Sequence, residues 1–178
     1  MSNRLKAFLA ALAFLIVALG GMIGSQEYVL RAGYKVILKT APVDPRDIFR
    51  GDYVILGYEI SDQAVQKLST SSRFTTGDQI YVVLNTDVIP ATVLRVASIR
   101  PKSGVYLTAH IDTLFASAQP RITFPTLSQY YVPEGRGRSL ERMRRDELHV
   151  EISITHDGKA RIVNLLDKNL DIIDVNDL

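Results

Sequence analysis

Three carboxylates and two guanidinium groups crowd one short stretch of this chain, where Asp44, Asp47 and Asp52 alternate with Arg46 and Arg50. Carboxylates at such spacing could hold a divalent cation through oxygen ligands. Two arginines in the same stretch repel a cation, so a turn braced by Asp–Arg ion pairs and side-chain-to-backbone bonds is the better reading. A second concentration follows at Arg136, Arg138, Arg142, Arg144 and Arg145, with Glu141 among them and Tyr130 and Tyr131 just upstream. Arg suits bidentate contact with phosphate or carboxylate, and Tyr and Arg are enriched at interaction hot spots. The run reads equally as a solvated helix face paired with Asp146 and Glu147, the commoner fate of a charge run. Hydrolytic chemistry finds few ingredients. The absence of Cys removes thiolate catalysis, disulfides and Cys-ligated metals. His110, His149 and His156 are the only histidines, and the last two fall on a strand and in a turn, without the local geometry of a metal pair. No metal and no cofactor are expected.

The elements that must position these groups are mostly strands. Alternation or β-branched composition marks strands at 34–39, 52–60, 79–84, 89–99, 105–111, 148–154 and 160–165, the last two joined through His156-Asp157-Gly158-Lys159, where Asp-Gly suits a hairpin turn. Two short helices are expected, one capped by Ser61-Asp62 and running to Leu68, the other over 139–145. Many close strands and few helices predict an α+β, β-rich domain over residues 34–178, a sandwich or partly open barrel with one or two short helices. The acidic C-terminus, 167–178, reads as a last short strand and a frayed end.

Ahead of this domain lies a different kind of sequence. Residues 7–24 read AFLAALAFLIVALGGMIG, without a charge. As a helix they span roughly 27 Å, close to the thickness of a bilayer's hydrocarbon core. Residues 1–6 then form a short cytoplasmic N-terminus, because Arg4 and Lys6 stay on the cytoplasmic side, and the domain lies in the periplasm or outside the cell. A cleaved signal peptide competes with an anchor in the inner (plasma) membrane, with marginal small-residue sites near Gly20 and Ser25, but the apolar run is long for one. Residues 25–33 are a linker, of which 26–32 could instead extend the anchor. Ala10, Ala13, Gly20, Gly21 and Gly24 are small enough to admit a second helix, although such residues are common in membrane helices anyway. The net charge of +2 is carried by Arg4 and Lys6, which leaves 19 basic and 19 acidic side chains in residues 25–178. A neutral domain offers no footprint for nucleic acid.

The most informative stretch is Arg50-Gly51-Asp52-Tyr53-Val54-Ile55-Leu56-Gly57-Tyr58. As a strand entered through a Gly-Asp turn, it places Val54, Leu56, Tyr58 and Ile60 on the more apolar face, towards a core. Tyr58 would bury its ring there and need a partner for its hydroxyl. Gly51, Asp52, Tyr53, Leu56 and Tyr58 match the pattern that names the GDYXXLXY family. Upstream Pro42-Val43-Asp44-Pro45-Arg46-Asp47 and downstream Tyr130-Tyr131-Val132-Pro133-Glu134-Gly135-Arg136-Gly137, followed by Leu140-Glu141, resemble that family as well. The resemblance implies a small bacterial membrane-anchored protein of the cell envelope, of uncharacterised activity, some relatives being partners of multi-span membrane proteins. It implies no catalytic residues.

A looser similarity is to signal peptidases, in which a Gly-Asp also enters an apolar strand. Their nucleophilic Ser falls at Val43 here, which cannot attack a carbonyl. Thr40 has a hydroxyl and Lys35 and Lys39 have amines, but the spacing is wrong. The favoured expectation is therefore a non-enzymatic interaction or accessory protein. Its binding face is built from Asp44, Arg46, Arg50, Asp52, Tyr53, Tyr130, Tyr131, Arg136 and Arg138, and its partners are the bilayer and a multi-span membrane protein. The alternative is a divergent hydrolase on a signal-peptidase-like β scaffold.

Overall fold

The uncharged N-terminal run lies within one helix, α1 (Asn3–Ala32), about 45 Å long at the standard rise. Its apolar side chains point outward, with Phe8, Phe14, Val17, Met22 and Ile23 all exposed and Val29 alone buried. α1 is long and apolar enough to cross a membrane. A helix that is apolar all round and uncovered by its own chain suits a lipid environment. The computed structural model describes residues 3–41, 53–68, 74–113, 120–131 and 148–174. The helix expected over 139–145 and the far C-terminus lie outside them.

Of the two readings of residues 26–32, helix is what is found, and only Gly33 separates α1 from the first strand. That junction is tight. Ser153 Oγ donates to the Val29 carbonyl at 2.6 Å, satisfying one of the acceptors that a helix C-terminus leaves open. A Cβ on Gly33 would stand 2.0 Å from Ser153 Oγ and 2.8 Å from the Val29 oxygen, so only glycine fits.

The domain is β-rich, as its alternation predicts. One four-stranded antiparallel sheet has the order β10-β9-β1-β3, where β1 is Tyr34–Ala41, β3 Gly57–Tyr58, β9 His149–Ile154 and β10 Ala160–Leu166. A second has the order β5-β4-β6-β7, with β4 at Gln79–Asn85, β5 at Thr92–Ala97, β6 at Tyr106–Thr113 and β7 at Pro120–Thr123. A two-stranded ribbon pairs β2 (Tyr53–Ile55) with β8 (Gln129–Tyr131). Backbone bonds stitch these pieces together: Ala91 N–H donates to Ile37 at 2.8 Å, Thr108 N–H to Gly158 at 3.2 Å, and Leu56 N–H to Ser128 at 3.0 Å.

The alternating positions supply one core. Val36 and Leu38 from β1, Val150 and Ile152 from β9, and Leu165 from β10 meet Ile80, Val82, Leu107 and Ala109 from the second sheet. Leu38, Ile80, Leu107, Ile152 and Leu165 are almost wholly buried. Each contributes about 1.5–3 kcal/mol relative to an exposed side chain. Helix α2 (Glu59–Leu68) adds Ile60, Ala64 and Leu68, a stripe at four-residue spacing. It packs on both β5 and β7, so the second sheet curls around it. Gln63 Oε1 accepts the Val93 N–H at 2.9 Å and ties α2 to β5.

Two strand expectations are corrected. Residues 52–60 do not form one strand: β2 ends at Ile55, β3 covers Gly57–Tyr58, and α2 already begins at Glu59. The two short strands serve different partners, β8 and β1, with Leu56 between them. The strand expected over 89–99 starts only at Thr92, because Pro90 has no N–H for a ladder and Ala91 spends its own on Ile37. The inward face of the 52–60 stretch is as expected where it is described: Leu56, Tyr58 and Ile60 are buried, whereas Gly57 and Glu59 are half-exposed.

Candidate functional site

Tyr58 organises the region where the naming motif meets the rest of the domain. Its backbone pairs with Thr40 in β1, and its ring passes inward to lie edge-on to Phe124, centroids 6.2 Å apart. Its hydroxyl donates to the Leu127 carbonyl at 2.7 Å. Burial pushes the phenol well above its ordinary range, so this hydroxyl is a fixed donor and not an acid or base. Two residues earlier, Leu56 is buried and its N–H holds Ser128. Leu56 and Tyr58 therefore clip the turn at 124–128 from two sides, and that turn leads directly into β8.

β8 returns to pair with β2 in the register Tyr53↔Tyr131, Val54↔Tyr130 and Ile55↔Gln129. Two stretches far apart in the chain, both expected to build a binding face, are thus joined by a ladder. Tyr130 is half-buried against the core, and burial pushes its phenol up. Tyr131 is 77% exposed. Asp44, Arg46, Arg50, Gly51, Asp52, Arg136 and Arg138 lie outside the described residues.

A cleft of about 410 Å³ opens beside these elements. Its floor is apolar, made by the buried Leu56, Tyr58, Ile122 and Phe124, and its exposed rim carries Asp62 and Gln66 from α2 and Arg121 from β7. Ala41, the last residue of β1, completes one wall. Among the described residues no histidine lines it, and its ionisable groups are Asp62, Arg121 and the committed Tyr58. Such a cleft can take an apolar side chain flanked by polar groups. Sequence reasoning missed it, since its walls come from three distant segments and 120–124 carries no motif.

The remaining candidates are dispersed. His110 lies on β6, His149 on β9 and His156 in the β9–β10 turn. Among the described residues no group of three His, Asp or Glu side chains comes together. The His156 carbonyl accepts from the Tyr106 hydroxyl at 2.9 Å, and Arg100 Nε donates to that hydroxyl at 2.7 Å, which braces the hairpin against β6. Of the residues a peptidase-like reading would need, Thr40 is buried with its hydroxyl donating to Leu148 at 2.7 Å. Lys35 pairs with Glu151 at 3.2 Å and Lys39 with Glu59 at 2.6 Å. Val43 lies outside the described residues.

The motif and its surroundings agree with a family comparison, in which the GDYXXLXY protein family model matches residues 15–165, most of the chain. The chain belongs to the GDYXXLXY family. No curated protein and no solved structure matches it. Within this GDYXXLXY protein the described letters of the motif divide by role. Leu56 and Tyr58 are core residues that fix the 124–128 turn, and Tyr53 stands in the ladder with β8.

Proposed function

We propose that this GDYXXLXY protein is a non-enzymatic accessory protein of the cell envelope. α1 anchors it, and the domain lies outside the cytoplasm and holds a multi-span membrane protein through the β2–β8 ribbon and the adjoining cleft. The observation that carries this reading is the ribbon itself: the motif strand and the Gln129–Tyr131 strand are paired, with Tyr131 exposed at one edge and an apolar-floored cleft beside them. Tyr and Arg around a desolvated pocket are the composition of binding hot spots. Support for binding over catalysis comes from the cleft's described residues, whose ionisable groups are the buried, hydrogen-bonded Tyr58 and the rim pair Asp62 and Arg121. Support for the orientation comes from Arg4 and Lys6, which precede the apolar run while the chain behind it is charge-balanced.

The test is affinity capture of the full chain from native membranes through a C-terminal tag, compared with a Tyr131→Ser/Arg121→Glu double variant. Both positions are exposed, so the fold should survive, and circular dichroism checks that it does. Wild type should co-purify with a multi-span protein that the double variant loses. Equal recovery by both, or no such partner across several detergents, overturns the proposal.

A further inference from the structure

We infer that the outer face of the first sheet, where it meets α1, is a phospholipid-headgroup site, so that the domain rests on the bilayer surface. The inference depends on α1 spanning the membrane and not on the partner or the orientation proposed above. Lys6 and Glu27 bound twenty uncharged residues, 7–26, which as a helix cover roughly the 30 Å of a hydrocarbon core. Val29 lies three residues further on, about 4.5 Å along the axis, and the headgroup layer is roughly 5–7 Å deep on each side. Tilt of the helix only lowers Val29. Yet Val29 is the one residue of α1 that the domain buries, and its carbonyl accepts from Ser153. The domain therefore reaches down to headgroup level.

The residues at that level are identified by register. Ser153 pairs with Lys35 on one side and Arg161 on the other. Directly paired residues share a face, so Lys35, Ser153 and Arg161 form a row across three strands beside the last turn of the helix. Among the described residues Arg161 has no carboxylate partner, while Lys35 is held by Glu151 and Arg31 by Glu27. Tyr28 and Tyr34 are 64% and 57% exposed on either side of the junction. Amphipathic tyrosines at the end of an apolar helix, with basic side chains beside them, have the composition of a membrane–water interface. The cations also complement the negative end of the helix dipole, but that alone gives no reason for two large exposed aromatic rings.

The chain has no Cys, so single cysteines carry a spin label without background. Full-length chain in vesicles of phosphatidylcholine and phosphatidylglycerol, doped with a nickel-chelating lipid, is labelled in turn at Leu15→Cys, Lys159→Cys and Asp62→Cys. Lys159 adjoins the row, and Asp62 lines the cleft at the far end of β1, roughly 23 Å away along the strand. The Lys159 label should be strongly relaxed by the headgroup-borne nickel and the Asp62 label should not. Exchanging Lys35 and Arg161 for Gln leaves the clasp at Val29 in place and should remove the dependence of that relaxation on the phosphatidylglycerol fraction of the vesicle, and an unchanged dependence overturns the headgroup site. A Lys159 label that behaves like the Asp62 label, while the Leu15 label reports hydrocarbon, overturns the headgroup site and leaves the span intact. A Leu15 label outside hydrocarbon overturns the span, and the inference with it.

Discussion

Replacing Tyr58 by Phe deletes one oxygen from a side chain that is 3% exposed and leaves its ring free to keep the edge contact with Phe124. The perturbation is thus confined to the 2.7 Å bond onto the Leu127 carbonyl. Leu127 is itself fully buried, so the carbonyl has no ready access to water. A typical hydrogen bond contributes about 0.5–1.5 kcal/mol net, and an acceptor left unsatisfied in the interior costs about 1–3 kcal/mol. A loss of about 2 kcal/mol is expected. For a domain of this size each kcal/mol moves the midpoint by about 2–4 °C, so Tm should fall by about 4–8 °C. The assay is thermal unfolding of detergent-solubilised protein, followed by far-UV circular dichroism at the wavelength of the β signal. A Tyr58→Leu variant, which also removes the ring's packing, should lose more. A Tyr58→Phe midpoint within a degree of wild type would refute the claim that this hydroxyl ties the motif to the 124–128 turn.

Three further outcomes follow from the same physical reasoning. In an alkaline titration followed by tyrosinate absorbance, Tyr58 should stay silent until the domain unfolds, because burial raises its pKa. Its contribution to stability is fully present below the unfolded-state value and is lost as pH rises above it, so Tyr58→Phe should flatten the alkaline limb of the stability–pH curve; an unchanged limb counts against it. Gly158 has φ +80°, and a Cβ there would stand 2.5 Å from the Tyr106 ring, so Gly158→Ala should destabilise by about 1–3 kcal/mol in the same unfolding assay. An unchanged midpoint would mean that the hairpin does not pack on β6.

Much of the fold could be read from local pattern. The uncharged run of α1 and the alternation of β1, β4, β6, β9 and β10 are signals carried by consecutive residues, and Asp157-Gly158 marks its own turn. What escaped was set by distant partners. Residues 52–60 alternate as one strand would, and nothing within them says that Ile55 will pair with Gln129 while Gly57 pairs with Ala41. β7 opens on a proline and β8 has three residues, too little for a period to show. Ser61 and Asp62 signal the right helix, but it starts at Glu59 and they occupy its first turn instead of capping it. The site followed the same division. The inward Tyr58 and its need for a hydroxyl partner were legible from alternation, whereas the identity of that partner, Leu127, and the cleft walls contributed by Arg121 and Phe124 were not.

The clasp between Ser153, Gly33 and Val29 gives α1 a property that a flexible tether would lack. Helix and domain share one rotational setting, so each residue around α1 has a fixed compass bearing relative to the β2–β8 ribbon. One residue inserted between the apolar run and Val29 would swing the whole domain by about 100° around the helix axis and lift it about 1.5 Å. Set in a bilayer, such a helix would be both a spike and an indexing shaft, and the phase of its last two turns would decide which neighbour the domain faces.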